Sequence, residues 1–216
     1  MLRQRKPRST LQRIALFAVA VISLFGGYYW GTWHAPTVYP YRVLSAFEQP
    51  QTLQDFELLD QQMRPFSQDR LKGRWNLLLA GYTSSDQATV DLLTLATRIL
   101  NRLAEWPDLQ ANTQVIFITL DPEKDTPQQL ADFFSRYSTD FIALTGSEAE
   151  IQTLTRQLGV RFKRVEMGDD DSYRIDHSTS IALVNPEGRL VGLFTGRVDA
   201  VSIATDLQQL TDSERK

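Results

Sequence analysis

The chain has 216 residues, a formal net charge of −3 and no cysteine. It therefore cannot form a disulfide, a thiolate nucleophile, a cysteine–zinc site, an iron–sulfur cluster or a CxxC redox pair. The first thirteen residues include five basic residues and no acid, which leaves −8 on the rest of the chain. This acidic balance argues against nucleic-acid binding, because that activity needs a basic surface.

An uncharged apolar segment follows this basic tail of residues 1–13. It starts at Ile14 and ends among aromatic residues, Tyr28, Tyr29, Trp30 and Trp33. A run of this length with aromatic rings at one end is typical of a transmembrane helix. A cleaved signal peptide is the alternative, but its apolar stretch is shorter and ends at a small-x-small site. We therefore predict an uncleaved anchor over 14–33 with the basic tail in the cytoplasm, because positively charged flanks stay inside.

Residues 34–54 contain Pro36, Pro40 and Pro50 and are expected to form an extended tether. A folded domain is predicted over 55–212, with a short tail at 213–216. In its first half, apolar runs predict buried strands, and apolar residues at helical spacing predict helices. The strands are expected at 55–60, 74–80, 114–120 and 141–144, and the helices at 86–104, from the Thr126 cap onward, and from the Ser147 cap to Gly159.

The second half of the domain has a different pattern. Two β runs, at 180–185 and 189–195, flank the turn Pro186-Glu187-Gly188 and predict an antiparallel hairpin. Asp199 is expected to cap a last helix, which would bury Ile203, Leu207 and Leu210. A parallel βαβ half joined to a hairpin half predicts an α/β, thioredoxin-like sheet with flanking helices.

Five motifs occur in one order along this domain. They are Gly81-Tyr82-Thr83, the segment 121–127, Leu144-Thr145-Gly146, the segment 173–178 (YRIDHS) and the turn 185–188 (NPEG). With the anchor, they resemble the SCO/SenC family, membrane-anchored thioredoxin-fold proteins that help to assemble the copper centre of cytochrome c oxidase. The resemblance implies a single-pass protein of the bacterial inner membrane, or an equivalent membrane, with its domain on the periplasmic side.

In that family, a CxxxC pair after the GYT segment and a distant histidine hold one copper ion. The matching positions in this chain are Ser85, Thr89 and His177. Cu(I) prefers soft thiolate or thioether ligands, and hydroxyl groups are poor substitutes. The family's copper-chaperone and thiol-reductase chemistries are therefore not expected here, and no cofactor is predicted, copper remaining the one that the resemblance suggests.

His177 has two interpretations. It could be a residual metal ligand, together with Met167 or with carboxylates from Asp121, Asp125 or the run 169–171. The favoured interpretation is a structural histidine that Asp176 and the neighbouring strand hold in place. The three consecutive aspartates could bind a hard cation, but they lack the spaced ligands of an EF-hand and are expected to form a solvated loop tip.

Two enzyme hypotheses are weighed and set aside. Asp121 and Asp125 could support Mg²⁺-dependent phosphoryl transfer, but a strand end followed by a helix cap explains them more simply. Ser85 could be a nucleophile with His177 as base and Asp176 or Asp121 as orienting group, but no GxSxG elbow surrounds it. The chain is therefore not expected to be an enzyme.

The resemblance and the missing cysteines together predict an accessory factor in cytochrome c oxidase biogenesis that acts as a non-thiol interaction module. Its expected partners are the membrane and oxidase subunits or another assembly factor, with no nucleic acid. The alternative function is a metal-binding protein with an altered site centred on His177.

Overall fold

A computed structural model describes residues 10–33, 41–84, 87–138, 140–168 and 172–214. The chain divides into two units, residues 1–40 and residues 41–216. The first contains the helix α1 (Thr10–Trp33). No helix in the described part of the chain is both long and apolar enough to cross a membrane. The anchor over 14–33 is therefore not shown by the structure and stays a prediction.

The second unit contains ten strands and five helices in its described part, with a short 3₁₀ helix at Gln68–Leu71. The strands are β1 (Leu44–Thr52), β2 (Glu57–Asp60), β3 (Pro65–Ser67), β4 (Trp75–Gly81), β5 (Thr113–Thr119), β6 (Ile142–Thr145), β7 (Phe162–Glu166), β8 (Tyr173–His177), β9 (Ile181–Val184) and β10 (Arg189–Phe194). The helices are α2 (Gln87–Leu103), α3 (Pro107–Ala111), α4 (Pro127–Phe134), α5 (Glu148–Gln157) and α6 (Ala200–Glu214).

Eight of these strands form one mixed sheet in the order β1-β10-β9-β4-β5-β6-β2-β3. β4, β5 and β6 are parallel, and the other neighbours in the sheet are antiparallel. Every residue of β4 is buried, because helices and loops cover both faces of the sheet there. The predicted strands at 74–80 and 114–120 and the predicted hairpin of β9 and β10 are confirmed.

The two faces of the sheet belong to two separate apolar clusters. Leu77 and Leu79 of β4 pack in the cluster that includes the buried stripe of α2 and α6. Leu78 and Ala80 point the other way and pack with α5 and with residues of β2 and β3. This division follows from the two-residue period of a strand, which sends successive side chains to opposite faces.

The predicted tether over 34–54 is too long. Residues 34–40 lie outside the described ones, but residues 44–52 form β1, which pairs with β10 at the edge of the sheet. Pro50 suggested an unpaired segment, since proline cannot donate to a sheet ladder. The register shifts between Ala46 and Gln51, so the proline falls in an irregular stretch where no ladder bond is needed.

Two further elements were not predicted. The short helix α3 lies between α2 and β5, with Pro107 at its start. β7 and β8 form a separate two-stranded ribbon, in which Phe162 pairs with His177 and Glu166 pairs with Tyr173. Most of its side chains are at least partly exposed, so the ribbon lacks the apolar run or clean alternation that identifies a strand in sequence.

Candidate functional site at the carboxyl ends of the parallel strands

The loops that follow β4, β5 and β6 meet at one edge of the sheet, beside the β7–β8 ribbon. Ligands of open α/β sheets bind at the carboxyl ends of the strands, so this edge is the candidate site. It brings together the GYT segment after β4, the segment 121–127 after β5, and the segment 173–178 on β8. Ser85, one of the predicted site residues, lies outside the described residues, as do 169–171.

Thr89 lies in the first turns of α2 and is 1% exposed. Its Oγ1 accepts a hydrogen bond from the backbone N–H of Tyr82, at 3.3 Å. The hydroxyl also packs tightly on Gly81, where an added Cβ would lie 2.6 Å from Oγ1. The hydroxyl at this family ligand position is thus turned toward the backbone at the end of β4.

His177 lies at the end of β8 and is partly buried. Its Nδ1 is 3.2 Å from the carbonyl oxygen of Ser178, so the Nδ1–H tautomer donates to that oxygen. Its Nε2 is buried and has no hydrogen-bond partner among the residues that the structure describes. An edge-to-face contact with Tyr82, with 6.1 Å between ring centroids, holds the imidazole in place.

Asp176 does not orient His177, contrary to both predicted roles. Its carboxylate instead pairs with Arg174, at 2.8 Å. Neighbouring residues of a strand point to opposite faces, which separates Asp176 from the imidazole. The residue that fixes His177 is Tyr82, whose hydroxyl also accepts the backbone N–H of Ile175 at 3.2 Å. Tyr82 therefore connects the end of β4 to the ribbon.

Asp121 is occupied by a partner that the sequence reasoning missed. The hydroxyl of Tyr173 donates to both Asp121 oxygens, each at 2.9 Å. Lys124 and Arg164 each lie over the Tyr173 ring, at 3.7 and 3.5 Å from its centroid. Burial and the neighbouring Asp121 carboxylate raise the pKa of Tyr173, so the phenol stays protonated and keeps donating. The tyrosine stood within the YRIDHS motif, but no spacing rule pointed to its partner.

Asp125 is fully buried and does not cap α4. Thr126 is the cap, as one of the two predicted alternatives had it, and its side chain accepts the N–H of Gln129. The Asp125 carboxylate accepts the backbone N–H of Thr83 at 3.0 Å and the hydroxyls of Thr83 and Thr119. Burial raises the pKa of Asp125, although these hydrogen bonds partly oppose the shift. The carboxylate therefore joins the ends of β4 and β5.

The structure does not bring the predicted co-ligands of His177 together. Met167 follows the Glu166 end of the ribbon, whereas His177 pairs with Phe162 at the opposite end, roughly four residues or 13 Å away along the strand. Asp121 and Asp125 are bound to other partners. No group of three or more histidine, aspartate or glutamate side chains arranged to hold a metal ion occurs in the described part of the chain.

The donor set does not fit Cu(I). The described candidates are one imidazole nitrogen and one hydroxyl that already accepts a backbone hydrogen bond, and neither is a soft sulfur ligand. The same geometry offers nothing to the enzyme hypotheses. Asp121 and Asp125 are each bonded to protein hydroxyls, and among the described residues neither Asp176 nor Asp121 has a hydrogen bond to His177.

A mixed sheet with three parallel strands, an antiparallel hairpin beside them and a His-containing loop at their carboxyl ends defines a thioredoxin-like protein without thiols. Comparison with solved structures confirms the fold class. The structure superimposes on copper-bound ScoI of Arabidopsis thaliana with a TM-score of 0.67 and 26% identity, over 74% of this chain and 98% of that one. Copper-bound ScoI of Bradyrhizobium japonicum gives a TM-score of 0.65 and 28% identity, over 73% and 98% of the two chains.

The chain belongs to the SCO1/SenC family, whose sequence profile matches residues 45–212. The resemblance drawn from the five motifs is thereby confirmed. An SCO2-like protein of Rickettsia conorii is 35% identical over 141 residues, which are 65% of this chain and 67% of that protein. The match begins within β1, in agreement with the pairing of β1 in the sheet and not with a tether that reaches residue 54.

Proposed function

We propose that the protein is an accessory factor in cytochrome c oxidase biogenesis that works by contact and without thiol exchange. Family membership supports the first part, because a related structure is described as a member of the Sco family of cytochrome c oxidase assembly proteins. The observation that carries the second part is Thr89. At a family ligand position this chain has a buried hydroxyl bonded to its own backbone, inside an otherwise complete family domain.

The site is held together by contacts that require no metal. Tyr82 joins β4 to the ribbon, Asp125 joins β4 to the loop after β5, and Asp121 joins that loop to Tyr173. Each contact uses hydrogen bonds between groups of this chain, so the three loops keep their arrangement when no ion is bound. A fixed surface of this kind suits recognition of another protein.

The proposal includes membrane attachment. The uncharged run over 14–33, the aromatic residues at its end and the basic tail support an anchor whose domain lies on the periplasmic side of a bacterial inner membrane or its equivalent. Fractionation of the native host tests this directly: the protein should remain with membranes after a high-pH carbonate wash, and protease added outside the inner membrane should digest the domain.

The oxidase role is tested by affinity purification of the full-length tagged protein from solubilised membranes, together with a deletion strain. We expect oxidase subunits or another assembly factor to copurify, and oxidase content to fall in the deletion strain. A variant with Ala at Thr89 should behave like wild type, because the hydroxyl serves only the local backbone. Normal oxidase levels in the deletion strain, with no oxidase-related protein captured, would contradict the proposal.

A second candidate function is divalent-metal binding centred on His177, and the buried, unpartnered Nε2 is the observation that favours it. Calorimetric titration of the full-length protein with Cu²⁺ or Zn²⁺ tests it. A site needs one-to-one binding with a Kd below about 10 µM, about −7 kcal/mol, that is lost in His177→Ala. His34→Ala is the matched control, since it removes the other histidine of the chain. Equal binding by all three proteins would dispose of this function.

A further inference from the structure

Two adjoining pockets form a groove along the carboxyl edge of the sheet. One lies between the loop after β5 and the ribbon and has a cavity volume of about 320 Å³. The other lies beside β2 and the start of α4 and has a volume of about 370 Å³. Pro122 and Gly146 line both pockets, so the two are continuous. We call this continuous depression the edge groove.

The floor of the edge groove is largely apolar. In the first pocket it consists of Leu120, Phe162 and Ile175, and in the second of Leu59 and Pro127. Leu59 is 37% exposed although it belongs to a strand of the main sheet. An apolar depression that remains open to solvent at the edge of a sheet is typical of a surface that another molecule covers.

The rim of the edge groove is acidic. Its charged lining residues near the surface are four glutamates, Glu57, Glu123, Glu148 and Glu150, and one cation, Arg164. Arg164 is already committed, because it lies 3.2 Å from Glu123, 3.2 Å from Glu166 and over the ring of Tyr173. Lys124 lies over the other face of that ring.

Three of the glutamates have no compensating cation. Within the described ranges Glu57, Glu148 and Glu150 form no ion pair; Glu148 accepts from Gln152 and Glu150 from Ser147, both of which are neutral. The rest of the chain beyond the basic tail carries −8, so its long-range field has the same sign. An apolar floor with uncompensated carboxylates around it is complementary to a partner that is apolar at its centre and positive at its flanks.

The narrow waist of the groove depends on Gly146. A Cβ at this position would lie 2.5 Å from Cδ2 of Leu58, so any side chain would push β2 away from the loop after β6. Glycine lets the two segments approach closely and keeps the two pockets in register. The continuity of the groove therefore follows from a specific residue.

We propose that the edge groove is the docking surface of the interaction module, and that its occupant is a protein segment with an apolar side chain flanked by lysine or arginine. The inference rests on the proposed function, since it names the surface and the partner chemistry of the same module. The apolar side chain enters between Phe162 and Leu59, and the basic flanks pair with Glu57, Glu148 and Glu150. Steering by the negative field raises the rate of encounter with such a segment.

Fluorescence anisotropy with labelled seven-residue peptides tests the proposal on the full-length chain in a nonionic detergent. The probe set places Leu, Phe or Met between lysines, and comparison peptides replace the lysines with Glu or the apolar residue with Ser. Empty micelles give the baseline. The triple variant Glu57→Gln, Glu148→Gln, Glu150→Gln should weaken binding of the lysine peptides at least tenfold and remove most of its salt dependence. Leu59→Ser should weaken it by a similar factor through the floor.

A charge-matched control carries Glu48→Gln, Glu105→Gln and Glu187→Gln, all exposed positions outside the groove. It should bind within twofold of wild type. Equal losses in the two triple variants, equal binding of the Glu peptides, or no binding of any lysine peptide would overturn the proposal. So would sedimentation showing a dimer that only the groove variant dissociates, because the occupant would then be a second copy.

The groove proposal and the oxidase proposal fail in different ways. If wild type and the groove variant capture the same oxidase-related proteins from membranes in equal amounts, the groove assignment is wrong and the oxidase role stands. If wild type captures none, the oxidase role is wrong, and the peptide measurements still decide whether the groove binds basic segments.

Discussion

Asp206 makes the sharpest prediction about how the domain holds its first strand. It lies on α6 within the buried face that includes Ile203 and Leu207, and its side chain is fully buried. Its two oxygens accept the backbone N–H groups of Arg42, Val43 and Leu44, at 2.8, 2.8 and 2.9 Å. One carboxylate thus fixes the polypeptide where it enters β1.

Asp206→Asn keeps the size of the side chain and changes its hydrogen bonding. The amide oxygen placed at Oδ2 still accepts from Val43 and Leu44, but as a neutral group, and the amide NH₂ cannot accept from Arg42. A hydrogen bond to a charged group contributes about 1.5–3 kcal/mol and a neutral one about 0.5–1.5 kcal/mol. One charged bond lost and two weakened give a loss of about 3–5 kcal/mol, and access of the Arg42 N–H to water favours the lower end.

Urea unfolding followed by far-UV circular dichroism measures this loss. With a slope of about 2 kcal/mol/M, a loss of 3 kcal/mol moves the midpoint down by about 1.5 M. Hydrogen exchange should show that the amides of 42–44 lose protection before the rest of the sheet. Asp212→Asn, an exposed change on the same helix, is the control and should stay within about 0.5 kcal/mol of wild type. If Asp206→Asn matches that control, the carboxylate does not fix β1 and the reasoning fails.

Three shorter predictions concern other buried groups. Asp60 is fully buried, and although burial raises its pKa, hydrogen bonds from Arg64 and Arg70 outweigh that effect and lower it; Asp60→Asn should cost about 3–5 kcal/mol at pH 7 by urea unfolding. Its contribution is present above pH about 4 and lost as the pH falls through the lowered value, so the variant should show a flatter acid-unfolding curve. The carboxyl carbon of Asp125 should titrate above about 4 by NMR, because burial raises its pKa, and stability should fall as the pH rises through that value. Gly192→Ala would place a Cβ 2.5 Å from a backbone oxygen of β1 and should lower thermal stability by about 1–3 kcal/mol.

The centre of the fold was predictable because its residues carry local signals. β4 and β5 are continuous apolar runs, and the Thr126 and Ser147 caps identify the starts of α4 and α5. The turn at Pro186 to Gly188 marks the hairpin of β9 and β10. In each case the sequence pattern and the tertiary environment favour the same structure, so the pattern alone was sufficient.

The edges of the fold were not predictable because their stability comes from distant partners. β1 contains a proline and mostly exposed side chains, and it is fixed by a carboxylate more than 160 positions later. The ribbon of β7 and β8 is stabilised by cations over Tyr173 and by the Asp121–Tyr173 bond, which no spacing rule describes. Such contacts leave no periodicity in the local sequence.

For the candidate site, the sequence predicted the positions but not the partners. His177 and Thr89 do lie near the carboxyl ends of the parallel strands, as the family resemblance implied. Asp125, however, acts as a tie between strands and not as a helix cap, and Asp176 faces Arg174. A carboxylate two or three residues from a strand end can turn toward any of several donors, and only the fold decides which.

The loss of soft ligands need not weaken this scaffold, and the reason lies in how the three loops are joined. Tyr82, Asp121 and Asp125 each connect two of them through groups that bear no relation to metal binding. A metal ion bound to the folded state adds stability in proportion to its affinity, but its absence removes only that increment. A family member can therefore lose its copper ligands and keep the loop arrangement that shapes the edge groove. The feature to test for function is then the surface that these ties maintain.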